Sequence, residues 1–332
     1  MSKETLKKTA LFLLRLIPWS ILVFYWAWAI GAAWHFTVAP TFLRVLLAVG
    51  IVAIPLFVSI RTRRFVYVSM AITGVIVFMA ICWQSMVPSN ERNWQLEVAN
   101  PPVITFDQDH IQIENYMPYE GLTKQAFDLR KLEQLWFGVE KFAGFDGGAH
   151  NFLTFEFADG KFVSVSVEAR KEVGEEYALL PALFRQFELI YLIGDESRIF
   201  GARTDFSAPT YLFPLKSTLE QRRSLLVDIC ERANDLNNHP EWYNILTNNC
   251  TNNLSWHAGH IAPRPISSYD LRVVLTGHAD RLLYELGMID AEGELSDIEQ
   301  MFRMDTLAKE TMIDNQIDSQ FSSKIRLRNR VP

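Results

Sequence analysis

Of the chain's three cysteines, one has the surroundings of a reactive thiol. Cys250 follows Thr247-Asn248-Asn249, residue types that cap helix N-termini. A helix beginning there sets unpaired amide hydrogens and the positive end of its dipole against the sulfur, which favours the thiolate and lowers the thiol pKa. Cys230 instead borders an apolar helical stripe of Leu226, Ile229 and Ala233 and reads as a small core residue. Cys82 falls inside a long apolar run and reads as inert. A bland reading stands beside the reactive one: a Cys230–Cys250 disulfide would close a loop of about 20 residues, worth ~3 kcal/mol. Against it, Cys250 sits among Thr247, Asn248, Asn249, Thr251, Asn252 and Asn253, and a buried bridge needs no such hydrogen-bonding neighbours.

A thiol that attacks a carbonyl near neutral pH needs a base. His257 lies seven residues on, about 10 Å up the same helix, too far for a bond of ~3 Å. His260 follows Gly259, which ends the helix. The same spacing argues against a zinc site of Cys250, His257 and His260, and no metal or cofactor is called for. The base must come from elsewhere. His150 opens an amphipathic strand behind Gly147-Gly148-Ala149. Residues 150–157 and 161–168 flank Ala158-Asp159-Gly160, a hairpin signal. With a two-residue turn His150 faces Ala169; with a three-residue turn and Gly160 in the left-handed region it lies opposite Glu168, on a face shared with Thr154, Ser164 and Ser166. The second register would pair the base with an orienting carboxylate.

The elements that must carry these groups form an α+β domain, an antiparallel sheet beside helices. Strands are expected at 150–157 and 161–168, a second hairpin at 187–193 and 198–204, and one more strand at 211–215. A helix over 217–236 is expected to start with Ser217 as cap and Glu220 completing a capping box, followed by helices near 250–258, 268–286 and 296–313.

Ahead of this domain the composition changes. The 332 residues are 49% hydrophobic and 21% charged, with 23 Phe, 9 Trp and 10 Tyr, which excludes disorder over most of the length. Runs at 17–38, 43–60 and 65–83 each suit one crossing of ~30 Å of hydrocarbon. Before Pro88 there are eight Lys/Arg and one acid, leaving 24 bases and 37 acids in the rest, too acidic a balance for nucleic-acid binding. Lys3, Lys7 and Lys8, then Arg61, Arg63 and Arg64, flank the runs so that positive loops inside put the amino terminus in the cytoplasm and everything after Pro88 outside the inner membrane of a bacterium. The expected organisation is a three-helix membrane anchor at 1–88, a linker at 89–102 and a periplasmic catalytic domain at 103–332.

Several motifs in order complete the picture: His150-Asn-Phe-Leu-Thr-Phe-Glu-Phe157, Ser166-Val-Glu-Ala-Arg170, Phe187-Glu-Leu-Ile-Tyr191, Arg203-Thr204 and Tyr243-Asn-Ile-Leu-Thr-Asn-Asn-Cys250-Thr251. Together they resemble the Lnb amino-terminal periplasmic domain family, named for a bacterial lipoprotein N-acyltransferase, over roughly 103–328. The resemblance implies a fold similar to circularly permuted papain-like (NlpC-type) enzymes, with Cys250 as nucleophile, His150 as base and Glu168 as third member. Asn249, Thr251, Ser166, Arg170, Arg203 and Tyr243 are the expected supporting residues. Three membrane helices before the domain and none after it depart from the family's arrangement and leave the substrate open. The expected function is a membrane-anchored cysteine acyltransferase or hydrolase working through a thioester on a lipid or lipoprotein, with inner-membrane lipids as partners. The alternatives are an NlpC-type peptidoglycan amidase and a non-catalytic envelope interaction module.

Overall fold

The structure, a computed structural model, describes residues 3–36, 39–118, 121–201, 208–313, 316–317 and 320–326, and divides into two compact units. The first comprises Met1–Pro88 together with Ala178–Gln186. Its helices are α1 (Lys3–Trp34), α2 (Thr41–Thr62) and α3 (Phe65–Gln84). Each contains a segment long and apolar enough to cross a membrane, at Ile17–Trp34, Thr41–Thr62 and Phe65–Gln84, close to the runs read from the sequence. Ala29, Ala32 and Ala33 are buried, as small residues at helix contacts are, while Phe24, Phe57 and Ile60 point outward. A surface of such side chains suits lipid rather than water. Segment 178–186 packs within this unit through Phe184, whose ring stacks on His35 at 5.4 Å and meets Trp83 edge-on at 5.9 Å. Arg185 donates to the Trp83 carbonyl at 2.8 Å.

The second unit, Ser89–Tyr177 with Phe187–Pro332, is built from antiparallel sheets packed on helices. Strands β1 (Val103–Asp107), β2 (His110–Tyr116) and β3 (Thr123–Asp128) form a three-stranded sheet. Strands β4 (Leu132–Phe142), β5 (Phe145–Phe157), β6 (Phe162–Arg170), β7 (Glu188–Gly194) and β8 (Thr210–Leu215) form the central sheet in the order β7-β6-β5-β4-β8. Rich in aromatic and β-branched residues, β5 to β8 are buried on both faces because helices and loops cover the sheet. Helix α4 (Leu219–Asn238) contributes Leu225, Leu226, Ile229 and Ala233 to the core. Helix α5 (Cys250–His257) lies over the face that carries Leu153. Short helices α6 (Leu271–Val274), α7 (Ala279–Glu285), α8 (Leu295–Phe302) and α9 (Asp305–Glu310), the strand pair β9 (Met312–Ile313) and β10 (Gln316–Ile317), and α10 (Phe321–Lys324) complete the described chain.

Several expectations need correction. The strand-rich region begins near residue 103, well ahead of 150. No second hairpin follows β7, which pairs with β6; the chain turns helically at Ser197–Gly201, and 202–207 lie outside the described residues. Two buried bonds divert it: Tyr116 donates to Asp195 at 2.7 Å, and Arg326 grips Glu196 with two bonds of 2.6 and 2.7 Å. Helix α4 is capped by Thr218, with Gln221 closing the box, one residue beyond the expected pair. The helix expected over 268–286 breaks at 275–278, where Gly277 sits so close to the Asp146 carbonyl that a Cβ would lie 2.2 Å from it. The helix expected over 296–313 breaks at 303–304, where the Met304 amide leaves the helix to bond Thr210.

The β5–β6 register is set at its turn. The Phe157 amide bonds the Lys161 carbonyl, Gly160 takes φ +80°, and pairing runs Thr154 to Ser164 and Phe152 to Ser166. This is the three-residue turn. Gly160→Ala should therefore lower unfolding free energy by about 1 kcal/mol, because a side chain at that φ meets the following carbonyl. Equal denaturation midpoints for the two proteins would rule this turn out.

Candidate active site

Cys250 is the first residue of α5 and is 5% exposed. Asn249 caps the helix by a reciprocal box: its side chain accepts from the Asn252 amide at 2.8 Å, and the Asn252 side chain accepts from the Asn249 amide at 3.1 Å. The Asn249 amide group also donates to the Ile245 carbonyl at 2.6 Å, so this side chain holds the helix start in place. The helix is tied to the sheet at both ends. Asn151 donates to Thr251 Oγ1 at 2.8 Å. Seven residues from Cys250, fully buried His257 bonds Asp228 through Nδ1 at 2.6 Å and the Tyr191 hydroxyl through Nε2 at 2.8 Å. His257 is thus a strut of the helix.

The hairpin register brings the base and its partners together. His150 Nε2 lies 2.7 Å from Ser166 Oγ and 3.2 Å from Glu168 Oε1, while the Ser166 hydroxyl donates to the same carboxylate oxygen. With its proton on Glu168, Ser166 receives the Nε2 proton of the ring, which leaves Nδ1 for the sulfur. His150 and Cys250 line the same cavity, and each shifts the titration of the other. Three further groups serve the sulfur: the Asn151 backbone N–H, the Thr251 hydroxyl at 3.7 Å and the charge of the ring.

The electrostatics of the pair follow. Burial alone would drive the imidazole neutral, but the Glu168 carboxylate, then hydrogen bonds and charge from Cys250 and Glu168, lift its pKa to about 10. Burial would likewise raise the Cys250 thiol; the hydrogen bond and charge of His150, the Asn151 amide and Thr251 bring it below its ordinary value. The two shifts, up for His150 and down for Cys250, both favour a thiolate–imidazolium pair over a neutral one. Cys230, fully buried without such partners, is pushed up to about 12 by burial first and Glu231 second. Cys82, Cys230 and Cys250 are all free thiols, so the Cys230–Cys250 bridge is not formed.

The pair opens into a cavity of about 490 Å³. Tyr243 lines it, buried, and hydrogen-bonds the hydroxyl of Tyr177; burial and the neighbouring thiolate hold its phenol well above the usual range, so it stays a neutral donor. Farther along, Val98, Met117, Leu192 and Ile199 make an apolar wall beside Lys171 and Arg198. Of the expected supporting residues, Ser166, Asn249, Thr251 and Tyr243 gather around Cys250 and His150. Arg170 does not: its guanidinium bonds the Val98 and Ala99 carbonyls and Asn90 and stacks on Trp94 at 4.2 Å, pinning the segment that follows the membrane helices. Arg203 lies outside the described residues. Sequence reasoning missed Asn151 and Tyr177. Asn151 is the neighbour of His150 and carries no motif of its own, and Tyr177 is one aromatic in an irregular segment.

Residues 119–277 match the family model of the Lnb N-terminal periplasmic domain. The matched segment contains His150, Ser166, Glu168, Tyr243 and Cys250, the residues on which the resemblance rested. No curated protein and no solved structure matches the chain. A Lnb-type periplasmic domain next to three apolar helices points to a membrane protein of the cell envelope.

The pair has a defined pH signature. His150, raised from an ordinary 6.5 to about 10, contributes stability that is complete below pH 6.5 and lost as pH rises through about 10. Cys250, lowered, contributes stability that is present above the ordinary thiol value and lost as pH falls through its own. Alkylation of Cys250 by iodoacetamide should accordingly titrate below the free-thiol value of about 8.5, His150→Ala should move the midpoint up, and Cys230 should stay unlabelled in the folded protein. A Cys250 midpoint at or above that of a free thiol would remove the ion pair.

Proposed function

We propose that the chain is a membrane-anchored periplasmic cysteine acyltransferase or hydrolase, acting through a thioester on a lipid or lipoprotein. The observation that carries this reading is that Cys250 and His150 line one cavity, with His150 Nε2 held by Ser166 and Glu168. The Cys250 thiolate attacks an ester or amide carbonyl, forming the C–S bond. The Cys250 and Thr251 amides, which the Asn249 cap leaves unused, and the neutral Tyr243 hydroxyl stabilise the tetrahedral oxyanion. As the carbonyl re-forms, the C–O or C–N bond breaks and imidazolium His150 gives its proton to the leaving alcohol or amine. His150, now neutral, takes a proton from an incoming amine or water as that nucleophile attacks the thioester. The thiolate leaves, and the ion pair is restored.

The order of His150 before Cys250, with α5 laid on an antiparallel sheet, supports a circularly permuted papain-like (NlpC-type) architecture. The bases Lys3, Lys7, Lys8, Arg61, Arg63 and Arg64 support insertion in the inner membrane with the amino terminus in the cytoplasm and the catalytic domain in the periplasm. Tethering to the bilayer raises the effective concentration of substrates that reside there, and this favours a phospholipid or lipoprotein as acyl donor. The apolar wall of Val98, Met117, Leu192 and Ile199 would accept part of an acyl chain.

A reporter active only in the periplasm, fused after residue 95, should be active; activity of a cytoplasm-only reporter at that junction would overturn the topology and the substrate class with it. In cells carrying Cys250→Ala, mass spectrometry should show a changed acylation state of lipids or lipoproteins. Purified His150→Ala should lose at least ~100-fold in acyl-enzyme formation, whereas His257→Ala should cost stability while its folded fraction reacts normally. Unchanged lipids alongside changed peptidoglycan fragments would move the assignment to an NlpC-type amidase.

A further inference from the structure

A second cavity, of about 540 Å³, opens on residues of α5 other than those at the thiol. Asn249 and Cys250 line the first cavity, whereas Asn252, Asn253 and Trp256 line the second, with Asp228, Glu231 and Asp235 from α4 opposite. We propose that this cavity binds a saccharide. The inference is independent of any chemistry at Cys250.

Three features define what the ligand must offer. Trp256 is 62% exposed on a surface otherwise polar, and a large indole left to water beside hydrogen-bonding groups suits a flat, C–H-rich ligand face. Asn252 is 6% exposed, and its Nδ2 is a buried donor with no partner, although its Oδ1 is engaged by the Asn249 amide. An unmet buried donor costs free energy that a ligand acceptor would recover. Asp228 and Asp235 are already met, by His257 at 2.6 Å and His239 at 2.7 Å, so Glu231 and the exposed hydroxyl residues Thr247 and Ser268 ask for ligand donors.

Together these requirements discriminate among ligand classes. An ammonium group supplies donors only and leaves Asn252 Nδ2 unmet. A phosphate or an anionic bilayer surface supplies acceptors only and meets Asp228, Glu231 and Asp235, while the cavity's one base, Arg232, is already bound to Glu241 at 2.7 Å and Asp235 at 3.4 Å. A pyranose carries hydroxyl donors, hydroxyl and N-acetyl acceptors, and a C–H face that stacks on an indole. It alone of these classes satisfies all three features.

The test uses the full chain in phosphatidylcholine nanodiscs with the β-1,4-linked tetramer of N-acetylglucosamine as probe, read by saturation-transfer NMR. Saturable transfer to the sugar is expected, unchanged in Cys250→Ala and weakened at least about tenfold in Trp256→Ala. Asn252→Asp keeps the acceptor that the Asn249 amide needs and removes the donor, so it should also weaken binding with the melting temperature preserved. Choline and phosphatidylglycerol vesicles should not compete. Absence of saturable transfer, equal binding by Trp256→Ala, or displacement of the sugar by either competitor would overturn the proposal.

Discussion

Because side chains in a strand alternate with a period of two, a slip of one residue between β5 and β6 would turn Glu168 and Ser166 away from His150. The left-handed Gly160 prevents that slip. The balance at the sulfur depends on the resulting alignment: Glu168 raises the imidazole's hold on its proton, and the imidazole lowers the Cys250 thiol pKa against the pull of burial. A turn about ten residues from His150 therefore bears on the acidity of a thiol a hundred residues further on.

Helix α5 is the other half of the arrangement and an unusual core element. Four of its eight residues, Thr251, Asn252, Asn253 and His257, are polar and buried, and the helix is capped by buried Asn249. Buried amides and hydroxyls are tolerable only when hydrogen-bonded, and here nearly all of them are, to Asn151, Tyr191 and Asp228. Such a network specifies one orientation of the helix where apolar packing would accept several. The same polarity sets the Thr251 hydroxyl 3.7 Å from the Cys250 sulfur.

Much of this was legible in the chain itself. Three apolar runs, the Asp159-Gly160 turn, the cap before Cys250 and the small residues before His150 all have local causes, and local causes leave local marks. What escaped reading depends on distant partners. Strands β1 to β3 bury only one side each and carry many exposed polar residues, so their periodicity is weak. The turn after Gly194 looked like a hairpin because nothing nearby announces Arg326, which grips Glu196 from 130 residues away. Arg170 shares a strand with Ser166 and Glu168 and seemed part of the same site, yet its side chain serves Val98, Ala99 and Asn90.

The membership of Ala178–Gln186 in the membrane unit has a practical side. These nine residues, among them Leu179, Leu180, Leu183 and Phe184, interrupt the second unit in sequence, and Phe184 packs on His35 and Trp83. Cutting the chain at Pro88 to obtain a water-soluble fragment strips the cover from this insert while leaving it attached. The fragment would carry a sticky flap starting one residue after Tyr177, and would tend to aggregate. Replacing 178–186 with a short Gly/Ser bridge, rather than moving the cut, is the route to a monodisperse soluble domain.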